Sequence, residues 1–252
     1  MEQKLLGKTA LITGGNSGIG LATARLFRDH GAQVVITGRE AATLQQSREL
    51  LGGEALVLQR DMGRLDDIEL TMADIKQRFG KLDIVFANAA IARPAPFALI
   101  DEAHFDDIAG VDFKGVFFTL QKALPLLQEG ASLMVTTSIS NQKGSPNFSV
   151  YAACKAALRS LVQTLSLELA DRGIRVNAIS PGPIDTPGFG RWEVPDDVVQ
   201  AARLEFERKS PFKRFGTAEE VARVALFLAC ADSSYVAGTE IVVDGAISTA
   251  LL

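Results

Sequence analysis

The sequence predicts an α/β fold, a doubly wound parallel sheet of about seven strands with helices on both faces. Three observations carry that expectation. Short β-branched runs alternate with longer helical stretches along nearly the whole chain. The runs are apolar without clean alternation, which suits strands covered on both faces. The first run opens directly into a glycine-rich turn that starts a helix.

Taken in order, the first strand is expected at 9–13 (TALIT), with a helix over 19–30 that stops at Gly31. VVIT at 34–37 gives the second strand and 41–51 its helix, ending at Gly52. ALVLQ at 55–59 is followed by a helix over 66–79 that ends at Gly80. IVFA at 84–87 precedes a long helix over 105–128, with Gly130 as its stop. LMVTT at 133–137 leads to a helix over 150–172 that ends at Gly173. VNAIS at 176–180, a helix over 218–229 and EIVV at 240–243 complete the alternation.

One segment breaks this rhythm. Residues 183–215 hold four prolines, two early glycines, Trp192 and a charged amphipathic stretch over 196–209. A long insertion between two strand–helix units is more often a lid or binding loop than plain connection. No repeat, low-complexity tract or linker is present, so 1–252 is expected to be a single domain carrying that insertion.

Bulk properties narrow the function. With 47% hydrophobic and 22% charged residues, the composition suits a globular protein with a substantial core. A net charge of −4 gives no electrostatic case for nucleic acid or an anionic membrane surface. Residues 1–11 lack a signal-peptide pattern. No stretch approaches the roughly 20 apolar residues of a membrane span. Cys154 and Cys230 allow at most one bridge, and with only His30 and His104 no histidine-rich metal centre is expected. A cytoplasmic protein is the expectation.

Residues 13–20, TGGNSGIG, place Gly14, Gly18 and Gly20 in a G-x-x-x-G-x-G spacing, with Asn16, Ser17 and Ile19 between them. Glycines permit a tight turn and close approach to a pyrophosphate, which then sits at the helix N-terminus. A plain turn could use the same residues, but the position between first strand and helix favours a dinucleotide. There is no Gly-Lys-Ser/Thr ending, which disfavours a P-loop nucleotidase.

The end of the second strand speaks to which dinucleotide. An NAD-binding fold usually puts an acid about 20 residues beyond the glycines, on the ribose 2′-hydroxyl. Here VITGRE puts Gly38 and Arg39 in that neighbourhood. A carboxylate would repel a 2′-phosphate, whereas a guanidinium pairs with it in two hydrogen bonds. NADP(H) is therefore expected over NAD(H). Glu40 stands beside Arg39, one step into the helix start, where an acid also suits the helix dipole. An NAD-preferring alcohol dehydrogenase of the same fold is the alternative it leaves open.

SVYAACKAAL, 149–158, sets Tyr151 four residues before Lys155 within a helical run, so the two side chains are surface neighbours. Either the pair decorates a solvated face, or the ammonium makes the phenol a better acid. The company it keeps favours the second. TGGNSGIG, NAA at 88–90, Ser138, Tyr151-Ala-Ala-Cys-Lys155 and PGPIDT at 181–186 together resemble the short-chain dehydrogenase/reductase family. Each motif alone is loose. Five in the correct order, with likeness from Gly7 to the VDG at 243–245, are not.

The resemblance implies a Rossmann fold and hydride transfer between the nicotinamide and a carbonyl or secondary alcohol. Tyr151 would be the general acid/base, giving its proton to the carbonyl oxygen as hydride arrives at carbon. A free phenol titrates near 10; Lys155, with an oxidised nicotinamide, is expected to lower that value. Lys155 would also hydrogen bond the nicotinamide ribose. Ser138, past the fifth strand at the edge where open α/β sheets bind ligands, would orient and polarise the carbonyl.

For the cofactor the resemblance implies Asp61 on the adenine amine with Met62 beside it, and Asn88 and Ala89 along the adenine ribose. Pro181 and Gly182 would lead to Ile184 and Thr186 on the carboxamide. A turn satisfied by Asn88 and a short helix capped by Thr186 are the structural alternatives.

One departure from the family pattern stands out. The family usually has an asparagine in a Val-Asn-x-x-Gly setting, where it holds a water linking the lysine to solvent; this chain reads VDFKG, with Asp112. An aspartate accepts from such a water but cannot donate as an amide does, and its charge would raise the lysine pKa. A working variant relay that includes Asp112 is expected, with a shifted pH profile or reduced activity as the other outcomes. Cys154 is expected to pack, since neighbours on a helix point about 100° apart. His104 is expected at the surface, and His30 at a helix C-terminus where it suits the dipole.

The substrate pocket is expected to be walled by 90–96 and the insertion, with Ile139, Asn141, Phe148, Phe189 and Trp192 as lining. That lining suits a neutral or amphipathic carbonyl compound, with Arg191, Lys209, Lys213 and Arg214 as a solvated rim or an inward anion contact. The helices at 105–128 and 150–172 have apolar content beyond one buried stripe, and family members are commonly tetramers; with the tail at 250–252, a homotetramer is expected. A methyltransferase would need no Ser138, Tyr151 and Lys155 set and usually wants an acid after the second strand. A non-catalytic NADP(H) sensor with the same fold is the other competing reading.

Overall fold

The computed structural model describes residues 3–190 and 195–250. The chain begins with β1 (Thr9–Ile12), α1 (Gly18–Asp29), β2 (Gln33–Gly38), α2 (Ala41–Leu51), β3 (Leu56–Gln59), α3 (Leu65–Phe79) and β4 (Leu82–Ala87). There follow α4 (Glu102–Ala109), α5 (Val116–Ala123), β5 (Leu127–Thr136), α6 (Ser149–Glu168) and β6 (Arg175–Pro181). The last part holds β7 (Ile184–Asp185), α7 (Asp196–Lys209), β8 (Gly216–Thr217), α8 (Ala218–Ala229) and β9 (Glu240–Val243).

Seven strands pair in parallel in the order β3-β2-β1-β4-β5-β6-β9, the doubly wound Rossmann arrangement. Successive strand residues feed opposite faces of the sheet. Leu11, Val35, Val85, Leu133 and Val176 pack with α3, α5 and α6. Ala10, Ile12, Val34, Ile36, Phe86 and Met134 pack with α1, α2 and α8. Both faces are covered, which is why the strands read as continuous apolar runs. The strand order reverses between β1 and β4, and such a reversal opens a crevice at the carboxyl ends of the strands.

Two expectations are corrected. The helix expected over 105–128 is four pieces: α4, a π-helical turn at Gly110–Gly115, α5 and a 3-10 turn at Leu124–Leu126. Gly130 is no helix stop but lies inside β5, which starts at Leu127 because Leu127 already pairs with Leu82 across an irregular register. The helix over 150–172 ends at Glu168, and a separate 3-10 turn, Ala170–Arg172, leads to Gly173.

The insertion has structure of its own. β7 and β8 pair in parallel, and α7 lies between them in the chain. Phe189, Phe206 and Phe215 meet edge to face with centroids 4.9 to 6.3 Å apart. Arg203 lies over the Phe215 ring at 4.6 Å and pairs with Asp185 at 3.0 Å. Arg191 and Trp192 lie outside the described residues.

Candidate active site

A cleft of 610 Å³ opens over the carboxyl edge of the sheet. Its wall contains Gly14, Asn16, Ser17, Gly18 and Ile19 from the turn after β1, and Gly38 and Arg39 from the end of β2. Asp61 and Met62 follow β3, Asn88 and Ala89 follow β4, and Pro181, Gly182, Ile184 and Thr186 close the far side. Ser138 and Tyr151 stand in the same wall. Gly20 lies just behind, where a Cβ would collide with the Gly14 carbonyl, so glycine lets helix and turn meet.

The glycine turn suits an anionic ligand. Ser17 caps α1 without bonding its hydroxyl back to the helix, and the first turn carries no acid. The orphan N–H groups and the positive end of the helix dipole thus face the cleft uncompensated. Asn88 ties the cleft floor together: its amide donates to the Thr13 carbonyl at 3.1 Å, and its Oδ1 accepts from Thr136 at 3.1 Å. These residues fit a dinucleotide lying across the sheet edge.

The chemistry-bearing groups form one chain of contacts. Lys155 is buried beneath Tyr151, its Nζ 5.3 Å from the ring centroid and 3.2 Å from the Thr136 carbonyl it donates to. Phe148 packs edge-on against the Tyr151 ring at 6.0 Å. The Ser138 hydroxyl lies within hydrogen-bonding reach of the phenol and accepts from the Ser140 N–H at 3.2 Å.

Asp112, fully buried on the π-helical turn, accepts from the Ile91 N–H through Oδ1 at 2.8 Å. Its Oδ2 lies 3.1 Å from Lys155 Nζ, a charge contact whose angles leave that oxygen without a hydrogen bond. Asp112 and Lys155 therefore meet directly.

The electrostatics act on the phenol in opposing directions. Burial pushes the Tyr151 phenol up; Lys155 pulls it down and Asp112 pushes it further up, and the net direction is upward. The ammonium alone does not bring the phenol toward neutrality. Burial likewise raises the Asp112 carboxyl, opposed by Lys155 and the Ile91 N–H. Burial pulls Lys155 down, but Asp112, with Tyr151 and Cys154, pushes the other way, and the net direction is above its ordinary value.

Comparison with known proteins agrees with this geometry. A family model described as enoyl-(acyl carrier protein) reductase matches residues 14–248. "Oxidoreductase asL5" of Sarocladium schorii is 39% identical, covering 98% of each chain. A solved structure of a short-chain dehydrogenase/reductase from Brucella melitensis, described as a glucose/ribitol dehydrogenase, superposes with a TM-score of 0.91 at 33% identity. It covers 98% of this chain and 99% of its own. A 3-ketoacyl-(acyl-carrier-protein) reductase from the same organism, complexed with NADH, gives 0.89 at 31% identity over 97% and 99% of the two chains. The chain belongs to the short-chain dehydrogenase/reductase family. It is an oxidoreductase of that family.

As a short-chain dehydrogenase/reductase the chain also has lining that the sequence did not announce. Thr37, Arg60, Val111 and Ile247 face the cleft. Ile247 follows the VDG motif by two residues, and only the fold brings it back to the cleft. Ile139, Phe148 and Phe189 line the cleft as anticipated, and Lys209, expected on a solvated rim, also reaches its wall while pairing with Glu205 at 3.2 Å. Asn141 does not: its amide donates to Glu240 at 2.6 Å. Lys213 donates to the Arg208 carbonyl and Arg214 pairs with Glu220 at 2.7 Å, so both sit on the surface. Cys154 packs among Ile108 and Val150. His30 is buried at the end of α1, and His104 is half-buried in α4. No group of three metal-ligating side chains occurs, and no helix is long and apolar enough to cross a membrane, among the described residues.

Proposed function

We propose that this short-chain dehydrogenase/reductase is an NADP(H)-dependent enzyme interconverting a carbonyl compound and a secondary alcohol, with Tyr151 as its general acid/base. The observation that carries the reading is the convergence of Ser138 and Tyr151 on one wall of the cleft lined by the glycine turn, with Lys155 buried directly beneath the phenol. Bound dinucleotide supplies or accepts the hydride. In reduction Tyr151 gives its hydroxyl proton to the carbonyl oxygen, and Lys155 stabilises the phenolate left behind. Ser138 donates to the same oxygen and holds the carbonyl against the phenol. Asp112 keeps Lys155 charged and fixed in place of the usual asparagine.

NADP(H) is supported by the corner after β2. Arg39 is half-exposed, and the Asp61 carboxylate lies 4.0 Å from it. Arg60, the other cation there, is tied to Asp74 at 2.9 Å. An acid at position 38 would need a Cβ where Asn16 Cγ already sits, and Asn16 is held by Thr43 at 2.6 Å.

The whole chain acts as one catalytic domain in the cytoplasm, as a homotetramer. Its substrate end is walled by Ile91, Ile139, Phe148, Phe189, Phe206 and Ile247, which suits a neutral or amphipathic carbonyl compound. The test is absorbance of the reduced nicotinamide with a panel of ketones and aldehydes. Tyr151→Phe is expected to lower kcat by about 10²–10⁴-fold while dinucleotide affinity stays within about threefold. Turnover untouched by that change sinks the acid/base assignment. Tight NADPH binding with no consumption across the panel would instead favour the sensor reading.

A further inference from the structure

We propose that Glu240 is a positioning residue that clamps the Ser138 turn to the helix carrying Tyr151 and Lys155. The inference rests on the reading of Ser138 and Tyr151 given above and adds a component remote in sequence from both. Glu240 opens β9, the edge strand of the sheet, and its side chain is 5% exposed. A carboxylate withdrawn from water is costly unless several donors meet it. Four do, and none comes from its own strand. Oε1 accepts from the Thr137 hydroxyl at 2.6 Å and from the Asn141 amide at 2.6 Å. Oε2 accepts from the Gln142 amide at 2.7 Å and faces Arg159 Nε at 3.5 Å.

These donors bracket the reacting groups. Thr137 immediately precedes Ser138, while Asn141 and Gln142 end the 3-10 turn Ile139–Asn141 that Ser138 caps. Arg159 lies eight residues after Tyr151 on α6, about two helical turns away. One carboxylate therefore joins the strand end, the turn and the helix. The Asn141 Oδ1 is left buried without a hydrogen bond, so this side chain is turned by Glu240 at the expense of its own oxygen. With the clamp in place, the Ser138 hydroxyl stays where the Ser140 N–H and the phenol can both reach it. Charge-assisted bonds of this length are the strong ones, and small misplacements of a reacting group are costly in rate.

Glu240→Gln keeps the side-chain shape and one acceptor oxygen but removes the charge and the second acceptor. Two measurements on the full-length variant decide. Hydrogen–deuterium exchange should speed up at Asn141, Gln142 and Lys143, whose N–H groups bond to the Ser138 and Ile139 carbonyls. Exchange in the glycine turn and α1 should stay unchanged. kcat should fall about ten- to a hundredfold, with KM for the dinucleotide within about twofold. Arg159→Ala, which spares the turn contacts, should give a smaller loss of the same kind.

Unchanged exchange over 141–143 overturns the clamp. So does a loss of kcat that follows a general fall in thermal stability, or a kcat within twofold of the parent. If the parent protein itself consumes no carbonyl substrate, the functional reading fails, while the exchange measurement still decides whether the clamp exists.

Discussion

At the scale of single residues, Asp112 is the group that most separates this chain from the pattern it otherwise follows. Its carboxylate touches the Lys155 ammonium, and it is the charge that pushes the Tyr151 phenol further up. With Tyr151 as the proposed general acid/base, alcohol oxidation needs the phenolate, so its rate should rise with pH through the apparent pKa of Tyr151. Carbonyl reduction needs the phenol and falls through the same value. Removing a nearby negative charge favours the phenolate and lowers that pKa. Asp112→Asn is therefore expected to remain active and to move both limbs to lower pH, read from kcat/KM against pH in each direction. The amide can still accept from the Ile91 N–H, so the fold should hold. An unmoved or upward-moved profile would show that Asp112 does not act on the phenol. A dead variant would mean that the carboxylate has chemistry of its own.

At the scale of elements, strands and helices that obey one local rule were legible and those set by distant partners were not. β1 with its glycine turn and α1 follow from adjacent residues, as does the Tyr151–Lys155 pair on one helix face. The long helix expected over 105–128 has suitable residues throughout. It is interrupted at Gly110–Gly115, where Asp112 turns in to meet Ile91 and Lys155, and no local pattern encodes those partners. β7 and β8 are two residues each, too short to carry periodicity. Glu240 sat inside an expected strand, yet its role depends on side chains roughly a hundred residues earlier.

The corner between β2 and α2 carries a local expectation of its own, and it can be tested. If Arg39 meets a 2′-phosphate, the charge-assisted contact is worth about 1.5–3 kcal/mol, or about 10- to 100-fold in affinity. Arg39→Ala should lower kcat/KM for NADPH by that factor and leave NADH nearly unchanged. Equal losses with both cofactors would move the role of Arg39 from recognition to support of the corner through Asp61.

At the scale of the whole molecule, two groups among the exposed apolar side chains lie on elements that a second subunit could cover. Phe105, Phe117 and Leu167 are exposed on α4, α5 and α6, with Leu167 80% accessible. Phe227 and Val242 are exposed on α8 and on the edge strand β9. Since α5 and α6 cover one sheet face and α8 the other, these are separate patches. Burying a large apolar side chain contributes about 1.5–3 kcal/mol, so each patch favours a contact. Two different self-complementary contacts generate a tetramer with three perpendicular twofold axes, whereas one alone stops at a dimer. The first contact would also brace α6, which holds Tyr151 and Lys155. Light scattering on the parent should then give four times the 26.9 kDa chain mass. Phe117→Glu combined with Leu167→Glu should halve that mass, because the α8–β9 contact survives, and Phe227→Glu with Val242→Glu should halve it through the other contact. A parent that runs as a monomer at micromolar concentration removes the tetramer, and with it this account of why those side chains face water.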